Sequence, residues 1–207
     1  ADLISMEKLK VAIASFANIK APGTDGLPPV VFKNIGPKTL QRLLDIYKAC
    51  YLLGFLPEKW HDVKVIFIPK PGRANYALPR SFRPISLMQF MMKIMEKILM
   101  WVNEEVTGLP LHNNQHGFRK GRSCDSNLTS LTTKIEKSLI DRKFRVQVWI
   151  DIKGAFDNIR NVSMEAAMRK KGCRPEYINW YLDFFNNRNI MVEYKGQSAK
   201  FWPSRGA

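Results

Sequence analysis

Apolar residues recur at helical spacing from Leu3 to Phe16, with Leu9, Ala12, Ile13 and Phe16 on one face. That pattern predicts an amphipathic helix. A second helix is predicted from Lys38 to Leu53, where Leu40, Leu43, Leu44, Tyr47 and Tyr51 form the apolar face. Pro37 suits its first turn, and Gly54 is its natural stop. Between the two, Pro28-Pro29 open a short helical piece to Ile35, which Gly36-Pro37 breaks. Met88 to Val106 predicts a long helix whose methionines (Met88, Met91, Met92, Met95 and Met100) are adaptable core. Three more helices are expected: one capped by Ser123 or Asp125 and running to Ile140, one around Ser163 to Lys171, and one from Pro175 to Asn186.

Period-two alternation marks the strands. Val63 to Ile68 is one; Ser81 to Leu87 is another, interrupted by Pro84 and so expected at a sheet edge. Phe144, Val146, Val148 and Ile150 alternate with Arg145, Gln147 and Trp149, predicting a strand that runs into Asp151. Asn189 to Tyr194 and Ala199 to Trp202 predict a hairpin across Lys195-Gly-Gln-Ser198. Lys20-Ala-Pro-Gly-Thr-Asp-Gly26 reads as either an ordered turn or a flexible linker. The class is α+β, helix-rich, with small antiparallel sheets.

Composition narrows the partners. The 207 residues, 45% of them hydrophobic, suffice for a core in one domain or two small ones. No apolar run approaches the roughly 18 to 20 residues that span a bilayer, and no signal peptide is visible, so the expectation is an intracellular protein without a membrane partner. The chain starts without Met and stops at Arg205-Gly206-Ala207, which reads as a fragment of a longer protein. Lys and Arg number 33 against 18 acidic residues, a net charge of +15. That balance predicts a polyanionic partner, nucleic acid first. The charge is clustered at Lys64, Lys70, Arg73, Arg80 and Arg83, at Arg119-Lys120-Gly-Arg122, and at Arg169-Lys-Lys171 with Arg174. The first cluster lies on two strands and their loop, a hairpin able to close over a phosphate. Cys50, Cys124 and Cys173 are odd in number and widely spaced, as free thiols in a reducing compartment are. The glycines around Lys120 do not make a Walker A loop.

Asp151 is open to two readings. A carboxylate ending a buried strand needs a partner, and a divalent cation is one. Equally, Asp commonly caps a following turn or helix. Gly154 permits a tight turn, Ala155 permits close backbone approach, and Phe156 and Asp157 follow.

Taken together, the motifs resemble the reverse transcriptase domain of non-LTR (LINE-type) retrotransposons, nearest the clade of the R1 and jockey elements. The resemblance rests on Lys20-Ala-Pro-Gly-Thr-Asp-Gly-Leu-Pro28, Phe67-Ile-Pro-Lys-Pro-Gly72, Phe82-Arg-Pro-Ile-Ser-Leu87, Gln115-His-Gly-Phe-Arg-Lys-Gly-Arg-Ser123, Asp151-Ile-Lys-Gly-Ala-Phe-Asp157 and Arg205-Gly206-Ala207, all in the family's order. Thr24 and Cys124 depart from its usual Pro and Thr.

The resemblance implies a right-hand polymerase fold: an N-terminal extension and start of the fingers over 1–60, fingers over 61–143, and a partial palm over 144–207. It implies RNA-directed DNA synthesis in target-primed retrotransposition, at work in the nucleus, and a parent polyprotein that also carries an endonuclease. The implied partners are an RNA template, an RNA–DNA or DNA primer-template, and a dNTP; the implied cofactor is a pair of Mg²⁺ ions. Asp151 would be the catalytic metal ligand, with the Ile152 carbonyl as a second contact. Lys70, Arg80, Arg83 and Phe156 would bind the nucleotide, Phe156 lying beneath the sugar. Arg73, Arg119, Lys120 and Arg122 would hold template and primer. Asp157 would be structural. The family's Tyr-x-Asp-Asp hairpin does not occur in the sequence, so this polypeptide alone is expected not to polymerise. The alternative is a non-catalytic, maturase-like nucleic-acid-binding module.

Overall fold

The computed structural model describes residues 3–107, 112–156, 158–194 and 197–203. The chain divides into two compact units, residues 1–107 with 156–207, and residues 108–155.

The first unit is built on helices whose apolar stripes are the predicted ones. Helix α1 (Met6–Ala14) starts at Ser5, whose hydroxyl accepts from the Lys8 N–H, and it buries Leu9, Ala12 and Ile13. Helix α2 spans Pro29–Lys33, and α3 spans Pro37–Leu53. Gly54 ends α3 at φ 60°, and a Cβ there would stand 2.6 Å from the Asn179 Cβ. Gly54 is therefore required twice, for its left-handed backbone and for close approach. Helix α4 (Phe90–Thr107) carries Phe90, Met92, Ile94, Met95, Ile98 and Leu99 into the core. Met92 and Met95 thus fill core as expected, while Met100 is 44% exposed. Helices α6 (Asn161–Lys170) and α7 (Pro175–Asn187) complete this unit, α1 packing on α4 and α3 on α7. The Tyr47 hydroxyl donates to the Met91 carbonyl at 2.6 Å, satisfying its polar end inside the core.

A four-stranded sheet lies in the same unit, ordered β2-β1-β3-β4. Strands β1 (Asp62–Pro69) and β2 (Phe82–Leu87) pair antiparallel, with β2 at an edge, where Pro84 costs no ladder bond. Strands β3 (Asn189–Tyr194) and β4 (Gln197–Phe201) also pair antiparallel; their turn lies outside the described residues. The expectation of purely antiparallel sheets is corrected, because β3 pairs with β1 in parallel. The reason is connectivity: α3 packs on α7, so the chain leaving α7 enters beside β1, and Asn189 Nδ2 donates to Asp62 Oδ1 at 3.1 Å. The sheet is mixed.

Two side chains tie this layer to the helices. His61 Nε2 lies 3.0 Å from Asp183 Oδ2, and the same oxygen accepts from the Leu56 N–H at 2.8 Å. The Lys20–Gly26 segment proves to be an ordered turn. Gly23 sits against the backbone that joins β2 to α4: a Cβ there would lie 2.5 Å from the Gln89 nitrogen. The buried Gln89 amide donates to Thr24 Oγ1 at 3.0 Å and to the Lys59 carbonyl at 2.8 Å.

The second unit is built around α5 (Cys124–Ile140). Of the two caps expected, Ser123 is the one, in a capping box with Ser126. The predicted strand over Phe144–Ile150 does not form; its side chains are among the most exposed of the chain, Phe144, Val146 and Ile150 at 86% or more. Alternation alone does not make a strand; it needs a neighbouring ladder, and none pairs with this segment among the described residues. Among the described residues no helix is long and apolar enough to cross a membrane.

Candidate nucleic-acid interface

Period two decides where the first basic cluster points. Val63 and Val65 turn into the core, so Lys64, Ile66 and Ile68 turn out. Their cross-strand partners, Leu87, Ile85 and Arg83, lie on that same outer face. The Lys64 ammonium sits 2.8 Å from Glu193 Oε2, a hydrogen-bonded pair that holds the Glu193 carboxyl below its usual range.

The loop between β1 and β2 is held by its own polar groups. The Lys70 N–H donates to the Ser81 carbonyl at 2.8 Å, and the Tyr76 hydroxyl to the Lys70 carbonyl at 2.8 Å. The Ser81 hydroxyl bonds the Asn75 carbonyl, and Asn75 Oδ1 accepts from the Ala77 N–H at 2.7 Å. Tyr76 packs edge-on against Phe82, 6.1 Å between centroids. A concavity of about 280 Å³ results, lined by Arg73, Ala74, Asn75, Leu78, Arg80 and Ser81. Arg73 and Arg80 thus share one hollow, and both are exposed. Lys70 donates from Nζ to the Arg80 carbonyl at 2.9 Å, spending one of its three N–H groups on the loop. The charge pattern does not mark Asn75 and Tyr76; the signal for them in the sequence is an Asx turn beside an aromatic.

The second basic cluster lies in the second unit. Arg119 Nη1 donates to the His112 carbonyl at 3.1 Å, and the Arg122 N–H to the Arg119 carbonyl at 3.2 Å. Lys120 and Arg122 are exposed. Phe118 stands at φ 55° with 95% of its surface exposed, a feature the pattern of residues did not signal. Asp151 and Ile152 also lie in this unit, both exposed. Among the described residues no hydrogen bond or ion pair reaches the Asp151 carboxylate, so the capping reading gains nothing from the structure. Gly154 takes φ 61° in a turn, as expected. Phe156, which opens the remainder of the first unit, is 59% exposed; Asp157 lies outside the described residues.

Among the described residues, no three of His, Cys, Asp and Glu come together as a metal would require. Asp151 by itself does not fit a pair of hard cations, each needing about six oxygen ligands.

What the surface offers is thus cationic loops ordered by their own backbone contacts, on an α+β scaffold. Comparison with known proteins gives the family. The profile of the family described as Reverse transcriptase (RNA-dependent DNA polymerase) matches residues 68–201, well over half of the chain, and the chain belongs to that family. It is 29% identical over 196 residues to "Probable RNA-directed DNA polymerase from transposon BS" of Drosophila melanogaster, covering 93% of this chain and 21% of the relative. It is 27% identical over 204 residues to the "RNA-directed DNA polymerase from mobile element jockey" of the same species, covering 97% and 22%. The "Retrovirus-related Pol polyprotein from type-1 retrotransposable element R1" of Bradysia coprophila is 22% identical over 188 residues, covering 90% and 18%. The chain spans about a fifth of the length of these relatives.

Proposed function

We propose that this chain is the nucleotide- and template-handling part of an RNA-directed DNA polymerase of a non-LTR retrotransposon. The observation that carries the reading is the family match across residues 68–201, which takes in Lys70, Arg73, Arg80, Arg83, Arg119, Lys120, Arg122 and Asp151. The chain's residues 61–143 act as fingers and 144–207 as the first part of a palm, with 1–60 leading into the fingers.

In this reading Arg83 offers its rigid fork to the triphosphate of a dNTP, with Lys70 and Arg80 beside it. Its place on the outer face of β2 supports this, because the guanidinium is exposed. Arg73, Arg119, Lys120 and Arg122 neutralise template and primer phosphates, contacts that position a strand without reading its sequence. Phe156 sets a bulky ring under the incoming sugar, where a 2′-hydroxyl would clash.

The family implies a divalent metal, here Mg²⁺. Asp151 would supply one carboxylate and Ile152 a carbonyl, the other donors coming from beyond the described residues. Bound metal supplies charge neutralisation at the transferring phosphoryl group. The chain's own cations do the remaining work of binding and aligning. The parent protein acts on genomic DNA in the nucleus and carries an endonuclease alongside the polymerase.

The test is primer extension on an RNA template with dNTPs by the protein carried in its longer reading frame. RNA-templated incorporation is expected. Binding of primer-template without incorporation would instead mark a non-catalytic, maturase-like module.

A further inference from the structure

The loop between β1 and β2 sets like charges together. Lys70, Arg73 and Arg80 lie on it, and from Lys64 to Arg83 the chain has no acidic residue. Among the described residues no ion pair reaches any of these three side chains. Cations gathered without a carboxylate between them repel, so a loop free to move would splay them apart. Uncharged groups hold this loop instead.

Lys70, at the entry, is bound at its nitrogen, its carbonyl and its ammonium. The N–H donates to the Ser81 carbonyl at 2.8 Å and Nζ to the Arg80 carbonyl at 2.9 Å, while the Lys70 carbonyl accepts from the Tyr76 hydroxyl at 2.8 Å. At the exit Ser81 is buried; its N–H donates to the Leu78 carbonyl at 2.9 Å and its hydroxyl to the Asn75 carbonyl. Tyr76, between them in the chain, reaches both ends. Its hydroxyl ties the entry, and its ring packs edge-on against Phe82 at the exit, 6.1 Å between centroids. This tyrosine adds little to the core: 45% of its surface is exposed, and β1 and β2 stay paired by their own ladder as far as Pro69 opposite Phe82. Its contacts fix the loop, and with it the backbone that carries Lys70 and Arg80.

We infer that Tyr76 is a positioning residue for the nucleotide, holding the loop so that Lys70 and Arg80 stand together before a triphosphate arrives. The inference rests on the nucleotide-binding reading of Lys70 and Arg80 and adds the residue that sets their place. Lys70 keeps two N–H donors for phosphate while the third holds the Arg80 carbonyl. A loop ordered in advance spares the ligand the entropy of ordering it. The effect should therefore fall on nucleotide binding and leave the chemical step alone.

The experiment is steady-state primer extension on a primed RNA template by the protein in its longer reading frame, with dNTP concentration varied. Tyr76→Phe keeps the ring and removes the hydroxyl; it is expected to raise the dNTP KM about 2- to 10-fold. Tyr76→Ala removes both ties and should raise it further. In Tyr76→Phe, kcat should stay within about twofold of the parent, and primer-template affinity and the unfolding midpoint should not change. Lys70→Ala and Arg80→Ala should each raise the dNTP KM, and Tyr76→Phe added to both should raise it no further. An unchanged KM in Tyr76→Phe and Tyr76→Ala, while Arg80→Ala raises it, overturns the positioning role alone. A loss in Tyr76→Phe that spreads equally to primer-template affinity and the unfolding midpoint, or that persists in full in the Lys70→Ala, Arg80→Ala background, also overturns it. Unchanged KM in Lys70→Ala and Arg80→Ala, or no extension by the parent, overturns the nucleotide reading and the positioning role with it.

Discussion

Gly23 lies so close to Gln89 that a Cβ at position 23 would stand 2.5 Å from the Gln89 backbone nitrogen and 2.7 Å from the Met88 carbonyl carbon. The Gln89 side chain returns the contact through Thr24. The turn before α2 is therefore a wedge that sets where α4 begins relative to β2. Gly23→Ala is expected to destabilise the chain by about 1–3 kcal/mol, since backbone cannot move aside as a side-chain tip can. Chemical denaturation measures it; a loss under 0.5 kcal/mol would contradict the wedge.

His61 and Asp183 join the start of β1 to α7 in a nearly buried setting. The Asp183 carboxylate also accepts from the Leu56 N–H and from Asn187 Nδ2 at 2.9 Å. Asp183→Ala strands a buried N–H and should cost about 2–3 kcal/mol. His61→Ala should cost less, and the double variant should lose less than the sum, because the two share one interaction. Strict additivity in equilibrium unfolding would show that the pair is not coupled.

The three thiols should differ in reactivity. Cys50 is buried, Cys124 exposed and Cys173 intermediate. Burial, with a smaller push from the Asp183 charge, raises the Cys50 thiol to about 11 from an ordinary 9.0. A raised folded value means that its contribution to stability is complete below pH 9.0 and is lost as pH rises through about 11. The unfolding midpoint should fall over that window, and Cys50→Ala should weaken the fall. Alkylation at neutral pH should label Cys124 well before Cys50; the reverse order by peptide mass mapping would contradict the burial.

Arg142 ends α5 at φ 52°, and the Lys143 N–H bonds the Ser138 carbonyl at 2.8 Å. This is a left-handed helix stop occupied by a residue with a Cβ. Arg142→Gly should stabilise by about 0.5–1 kcal/mol, unlike most loop-to-glycine changes. A drop in melting temperature would refute it.

Phe156→Ala, in the full reading frame, should let ribonucleotides compete with dNTPs. Unchanged discrimination in primer extension would remove Phe156 from the sugar site.

The helices were legible because their apolar faces bury against one another within the chain. Leu9, Tyr47 and Met95 sit in the core, where their spacing put them. The outward face of Arg83 follows from the same period two once β1 and β2 are paired. What the residues did not reveal depends on partners distant in sequence. The alternation of Phe144 to Ile150 is as regular as that of β1, yet among the described residues β1 pairs with β2 and β3 while no strand pairs with that segment. The parallel β1–β3 pairing, the His61–Asp183 contact and the backbone under Gly23 likewise join segments more than sixty residues apart. At the candidate site the cations were visible as charge clusters, whereas the left-handed backbone of Phe118 leaves no trace in composition.

The most direct measurement concerns Asp151. Primer extension on a primed RNA template with dNTPs and Mg²⁺ compares the protein in its longer reading frame with its Asp151→Asn variant. The account predicts RNA-templated extension by the parent and a loss on the order of 10²-fold or more in the variant, with primer-template binding retained. Extension by Asp151→Asn at the parent's rate would contradict it.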